Sequence, residues 1–195
     1  MIRLGVLGST RGSDLVPIVE AIERQDLDAS VEIIISNNKR APILDKGNKY
    51  KIPSVFIEHK NRDRLDFDRE VSKNLLEKNI DLVLLIGFMR ILSKEFVREW
   101  VGRIINVHPS LLPKYAGGMN NDVHRDVLLA KEKETGCTIH IVTAEVDRGP
   151  IIIQKKCVVL EKDTVESLKE RVQALEGIAF VEAINKMGGI LKNEN

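Results

Sequence analysis

The sequence predicts an α/β fold: a single doubly wound, mostly parallel sheet with helices on both faces and an antiparallel hairpin in the C-terminal half. Three observations predict it. Short apolar runs alternate with helix-period segments from the first residue onward. The run Leu82-Val-Leu-Leu-Ile86 is apolar at every position, the pattern of a strand covered on both faces. Two long strand-like runs near the C-terminus are joined by a turn too short for a crossover, so they pair antiparallel.

Leu4 to Leu7 reads as a buried strand leading through Gly8-Ser-Thr-Arg-Gly-Ser-Asp14 into a helix. That helix carries Leu15, Ile18, Val19 and Ile22 on one stripe. A second strand, Val31 to Ile35, ends at Ser36-Asn-Asn38 and is followed by a helix over Ala41 to Tyr50. Next come a short strand at Ser54 to Ile57 and a helix whose apolar face is Phe67, Val71 and Leu75. After the strand at 82–86, Ser93 is placed to cap a short helix before the strand Ile104 to Val107. Residues 109–122 hold two Pro, two adjacent Gly and two adjacent Asn without periodicity. A loop of that length in a compact domain is usually functional. A short helix near Val123 to Ala130 precedes the strands Cys137 to Thr143 and Ile151 to Leu160. The closing helix has Asp163 and Glu166 at capping-box spacing and a stripe of Val165, Leu168, Val172, Leu175 and Ala179. No repeat or composition break divides the chain, which points to one domain over residues 1–195.

The 195 residues are 43% hydrophobic and 30% charged, which excludes a disordered or collagen-like chain. Thirty basic and 29 acidic side chains leave a net charge of +1, too little for a general nucleic-acid binder. Cys137 and Cys157 form no disulfide framework and read as free thiols. With no leader-like segment at Met1 and no run of about eighteen apolar residues, the expected compartment is the cytoplasm and no membrane partner is expected.

In a doubly wound sheet, ligands gather outside the carboxyl ends of the strands. The first such end offers Gly12, Ser13 and Asp14 at a helix N-terminus, where unpaired amides and the helix dipole suit an anion. No dinucleotide or P-loop glycine pattern accompanies them, so this segment is read either as a phosphate site or as a tight turn with a capped helix. Asn106 and His108 share one side of a strand end, because residues two apart face the same way. With Asp147 from the C-terminal turn, they would supply an amide donor, an imidazole and a carboxylate for acyl transfer. Spacing alone favours a core histidine bonded to a backbone carbonyl, with Asn106 helping the loop. His140 reads as a structural strand residue, and His59 and His124 have no metal-ligand neighbours in sequence. The charged stretches 60–69 and 131–134 read as solvated helix faces. Neither cysteine has an adjacent His and no Gly-x-Ser-x-Gly occurs, which argues against a covalent nucleophile.

Five segments occur in a telling order: residues 8–14, Gly87-Phe-Met-Arg-Ile-Leu92, Asn106-Val-His-Pro-Ser-Leu-Leu-Pro-Lys114, Thr135-Gly-Cys-Thr-Ile-His140 and Asp147-Arg-Gly-Pro150. Together they resemble the formyltetrahydrofolate-dependent formyltransferases, specifically the phosphoribosylglycinamide formyltransferases of purine synthesis, over essentially the whole chain. The resemblance implies transfer of a formyl group from 10-formyltetrahydrofolate, as co-substrate, to the amine of N1-(5-phospho-D-ribosyl)glycinamide on the way to IMP. It implies His108 as general acid, Asn106 on the formyl oxygen and Asp147 holding His108 charged. The backbone of Gly12, Ser13 and Asp14 would grip the ribose phosphate, and Glu176 would contact the same substrate. Met89, Arg90, Ile91 and Leu92, together with Asn106, would line the folate slot, with Arg64 also at the cofactor. No metal is implied, the partners are small molecules, and the chain would be a monomer or homodimer. Direct attack by the amine agrees with the lack of an enzyme nucleophile. The family's longer branches, which act on tRNA or hydrolyse the donor, would need further modules. Three positions depart from the family's pattern: Asp14 stands where Asn is usual, residues 116–119 replace a Pro-Gly, and Ala144 stands where an acid is common. Asp14 beside a dianion would repel it unless its side chain turns away as a helix cap.

Overall fold

The computed structural model describes residues 1–118 and 121–193. Strands β1 (Ile2–Leu7), β2 (Ala29–Ser36), β3 (Ser54–Phe56), β4 (Leu82–Leu85), β5 (Ile104–His108), β6 (Glu134–Ile141) and β7 (Ile151–Val158) form one sheet in the order β3-β2-β1-β4-β5-β6-β7. The first five are parallel, and β6 runs antiparallel to both β5 and β7. The helices between them are α1 (Leu15–Glu23), α2 (Pro42–Tyr50), α3 (Arg64–Glu77), α4 (Lys94–Glu99), α5 (Asn121–Leu129) and α6 (Val165–Asn193).

Handedness and strand order together dictate where the helices lie. Right-handed crossovers that add strands outward from β1 to β3 put α1 and α2 on one face. The chain then crosses back over the sheet to lay β4 on the other side of β1, and continues outward to β5. That reversal puts α3 and α4 on the opposite face. Side-chain alternation makes both layers apolar. In β4, Leu82 and Leu84 face the layer of α1 and α6, while Val83 and Leu85 face Phe67, Val71, Phe96 and Trp100 of α3 and α4. Trp100 is wholly buried and its Nε1 donates to Ser72 Oγ at 2.8 Å, so its one polar group is satisfied between two helices.

The expected caps hold in part. Ser93 Oγ accepts from the Phe96 amide at 3.2 Å as expected, and Asp63, which the sequence reading did not single out, caps α3 through the Leu65 amide at 2.8 Å. At α6 the cap lies one residue beyond the expected Asp163. Thr164 Oγ1 accepts from the Ser167 amide (3.1 Å) while Ser167 Oγ accepts from the Thr164 amide (3.0 Å), a reciprocal pair. Asp163 instead takes both Arg171 guanidinium nitrogens, at 2.6 and 2.8 Å, and its carboxyl is held far below the usual range chiefly by that fork. Glu134, expected on a solvated helix face, opens β6, and Lys131 sits in a left-handed turn (φ 52°) before it. The irregular segment after Pro109 ends sooner than expected, because α5 starts at Asn121. Its residues Met119 and Asn120 lie outside the described residues.

Candidate active site

The strand order reverses between β1 and β4, so their C-terminal ends diverge and leave a crevice. A cleft of about 470 Å³ opens there, running from the start of α1 past the loop after β4 to the end of β5. Gly12, Ser13, Asp14, Met89, Arg90, Ile91, Leu92, Asn106, His108, Asp147 and Glu176 all line it. Arg64 does not belong to it: this expected cofactor residue is the exposed first residue of α3 and is absent from the cleft wall.

At the α1 end, Gly12 has φ +60°, and a Cβ there would overlap the side chain of Ile43 on α2. Only glycine permits this turn, which sets the backbone of Gly12, Ser13 and Asp14 on the cleft wall just before α1. Lys46 Nζ, from α2, donates to the Gly12 carbonyl at 3.2 Å and adds positive charge beside the turn. Asp14 is at the N-cap position but makes no capping hydrogen bond; its side chain is turned inward and only 4% exposed. The expected escape of its carboxylate as a helix cap is therefore not what the fold uses.

The loop after β4 is pinned from both sides. Ser9 Oγ accepts from the Met89 amide at 2.9 Å and donates to Asn37 Oδ1 at 2.5 Å. The Arg90 guanidinium lies over the Phe67 ring at 4.3 Å and donates to His59 Nδ1 at 2.9 Å, while its buried Nε has no hydrogen-bond partner. Met89 and Ile91 remain exposed, an apolar lip beside that orphan donor.

The β5 end gathers four side chains. Antiparallel register sets Asn106 opposite His140 and His108 opposite Thr138, so both histidines and the amide share one face. His108 Nδ1 is 3.3 Å from Asp147 Oδ2, and His140 Nε2 is 3.5 Å from Asp147 Oδ1 and 3.2 Å from Asn106 Nδ2. His140 Nδ1 faces the Ile141 carbonyl at 3.0 Å, so it carries a proton. Asp147 also accepts the Gly117 amide at 2.8 Å. Burial would raise its carboxyl, but the adjacent His140 ring, the Gly117 amide and the His108 ring outweigh it, and the net direction is down.

His108 carries two opposed influences. Its Nε2 lies 2.9 Å from the Tyr115 carbonyl, which can only accept, so Nε2 bears a proton and Nδ1 is the nitrogen that faces the carboxylate. That geometry is fully satisfied only by an imidazolium. Burial acts the other way and is the larger effect, so His108 sits below its usual 6.5 despite Asp147 and the Tyr115 carbonyl. Asp147 therefore favours the charged ring, as the resemblance implies, while burial works against that charge. Tyr115 itself has φ 61°, left-handed backbone that is uncommon for a bulky residue and that aims its carbonyl at the ring.

His140 was legible only as a strand residue, because nothing local announces that β6 pairs with β5; the signal that finds it is the register opposite Asn106. Lys46 carries no local signal, and His124 is read from sequence only as lacking metal-ligand neighbours. His124 lines the cleft, is buried with no partner for Nδ1, and is pushed down to about 4 by burial and by Lys169. Among the described residues, no group of three or more His, Cys, Asp or Glu is placed to hold a metal ion, and no helix is long and apolar enough to cross a membrane.

A protein family described as formyl transferase matches residues 2–184. This chain belongs to the formyl transferase family. Within the formyl transferases, it is 42% identical over 185 residues to a Drosophila melanogaster trifunctional purine biosynthetic protein adenosine-3, covering 93% of this chain but 14% of that protein. The chain spans less than a fifth of this and similar animal relatives. A Haemophilus influenzae phosphoribosylglycinamide formyltransferase is 34% identical, with 90% of this chain and 82% of that protein covered. Among solved structures, glycinamide ribonucleotide transformylase 1 from Symbiobacterium toebii superimposes with a TM-score of 0.90 at 36% identity, covering 94% of this chain and 86% of that one. The sheet order and the antiparallel β5–β6–β7 end are those of this family's fold.

Proposed function

We propose that this formyl transferase, acting as one domain over residues 1–195, moves a formyl group from 10-formyltetrahydrofolate to the amine of N1-(5-phospho-D-ribosyl)glycinamide, a step of purine biosynthesis. The observation that carries the reading is a juxtaposition: Asn106, His108, His140 and Asp147 converge at one end of a cleft whose other end is the glycine turn at α1. An acyl-transfer set and an anion site in one cleft suit an acceptor bearing both a phosphate and an amine. The names of the bacterial relatives support the same acceptor. The donor suits the loop 87–92, where a flat ring would lie against Met89 and Ile91 and the unpartnered Arg90 Nε would find an acceptor.

The acceptor amine attacks the formyl carbon, forming an N–C bond as the bond from that carbon to the donor nitrogen breaks. Holding both molecules in the cleft removes much of the entropic barrier. Negative charge grows on the formyl oxygen, where one Asn106 N–H and His108 Nε2–H would stabilise it in a site shielded from water. That charge raises the proton affinity of the His108 ring, which Asp147 also favours. The proton lost by the attacking amine passes to the departing nitrogen directly or through a water, while His108 acts as general acid toward the formyl oxygen through Nε2–H, where the Tyr115 carbonyl yields its place.

The test is the absorbance of tetrahydrofolate formed with glycinamide ribonucleotide as acceptor, alongside controls without acceptor. Turnover should require the acceptor, and His108→Ala should lose at least about 10²-fold in kcat. Donor cleavage without acceptor, or a fully active His108→Ala protein, would overturn the assignment.

A further inference from the structure

The α1 end of the cleft holds two carboxyl groups that the chemistry at His108 does not use. Glu176 lies in the middle of α6 and is 6% exposed; Asp14, at the start of α1, is 4% exposed. Their closeness follows from helix packing. A Cβ on Gly177 would overlap the ring of Pro17 in the first turn of α1, so α6 approaches that turn as nearly as a backbone can. The residue before Gly177 is thereby set beside the residue that opens α1. Both carboxyls also bear on the thiol of Cys137 in β6 below them, which burial first, and then these two acids, push up to about 12. Among the described residues, no ion pair joins either acid to a cation, although Lys46 on α2 and Lys169 on α6 face them at longer range, with Arg11 beside Lys46 and His124 on α5 beyond Lys169.

We propose that Asp14 and Glu176 form a carboxyl pair that shares a proton at the phosphate end of the cleft, and that this proton sets the affinity for the phosphate-bearing substrate. Two buried carboxyl groups that bear on each other at one end of a cleft disfavour ionising together. Burial pushes Asp14 up to about 7, against the pull of Lys46 and the Ser13 hydroxyl. Burial, and then the charge of Asp14, push Glu176 up to about 8, against the pull of Lys169. An anion docking on the amides of the glycine turn meets a neutral neighbour while the proton stays and a repelling charge once it leaves. Bound phosphate therefore holds the proton in place, and above the pair's titration the substrate must bring a proton in with it. The neutral carboxyl is also a hydrogen-bond donor, which a carboxylate is not. Asn at position 14 would keep a donor there without this pH dependence.

The link to phosphate affinity rests on the proposed function, whereas the shared proton does not, so two measurements separate them. Carboxyl-carbon NMR of the whole protein should show one acid of the pair titrating above pH 6; titration of both below pH 5 would refute the shared proton. Ribose 5-phosphate, which lacks an amine and is a dianion above pH 7.5, serves as the binding probe in calorimetry between pH 7.5 and 9. Its Kd should rise by up to about tenfold per pH unit above the pair's titration. Asp14→Asn, and independently Glu176→Gln, should flatten that rise, so that at pH 9 each variant binds more tightly than the parent. Parallel pH dependences in parent and variants would refute the role in affinity. A protein that titrates as expected but binds no ribose 5-phosphate would refute the phosphate-site reading and leave the shared proton standing.

Discussion

Asp147 stands in left-handed backbone (φ 54°) within the short turn between β6 and β7, and that conformation carries its carboxyl between the rings of His108 and His140. Asn tolerates the same backbone and has the same size, so Asp147→Asn changes the charge with little change in shape. We expect this variant to fold, to keep its melting temperature within a few degrees, and to lose about 10²-fold or more in kcat. Steady-state turnover together with a thermal melt checks both halves. Much of this site was legible residue by residue. The two-residue period of a strand places Asn106 with His108, and Pro109 ends the strand at the imidazole. His140 was hidden because its role depends on which strand lies beside β6, a fact of tertiary pairing that no local pattern states. The opposing influence of burial on His108 was hidden for a related reason: a partner can be guessed from sequence, but the depth of burial that works against it cannot.

Secondary elements were easier to read than their joints. Each helix stripe named from periodicity packs into the core, save the half-buried Val165 at the start of α6, because the apolar spacing and the burial of a helix face are one constraint. At α6, Asp163 and Thr164 both fit a capping role, and the choice fell to Arg171, two turns into the helix, which draws the acid out of the cap. Thr164 and Ser167 then close the end between them. Thr164→Ala removes that closure and should lower the unfolding free energy by about 1 kcal/mol. Because Glu176 lies about three turns further along α6, kcat should stay within twofold. Urea denaturation monitored by circular dichroism, read beside the turnover assay, tests the pair of expectations.

At the scale of the molecule, its buried titratable groups predict how stability varies with pH. His108 and His124 are depressed in the folded state, so the unfolded chain binds more protons than the native one up to about pH 6.5, and these two rings favour folding as pH rises to that point. Asp14 and Glu176 are raised, so the native state binds more protons than the unfolded chain from about pH 4 to about pH 8, and this pair opposes folding as pH rises. Below pH 6.5 the two effects oppose each other; above it only the carboxyl pair remains. The melting temperature should accordingly fall between pH 6.5 and 8, and Asp14→Asn should shrink that fall. Scanning calorimetry at half-unit pH steps reads it directly, and an undiminished fall in the variant would contradict the assignment.

The order β3-β2-β1-β4-β5-β6-β7 also divides labour across the molecule. The glycine turn and Lys46 hang from the β1–β3 half, while the loop after β4, His108 and Asp147 belong to the other. On the proposed reading, each reactant is clamped to a different half, and the seam between β1 and β4 runs beneath the bond being made. The sheet is then a jig whose accuracy is the twist at one strand pair. Leu4, Val6, Leu82 and Leu84, wholly enclosed at that seam and remote from either reactant, become alignment parts, and slack there would cost turnover without weakening the hold on either molecule.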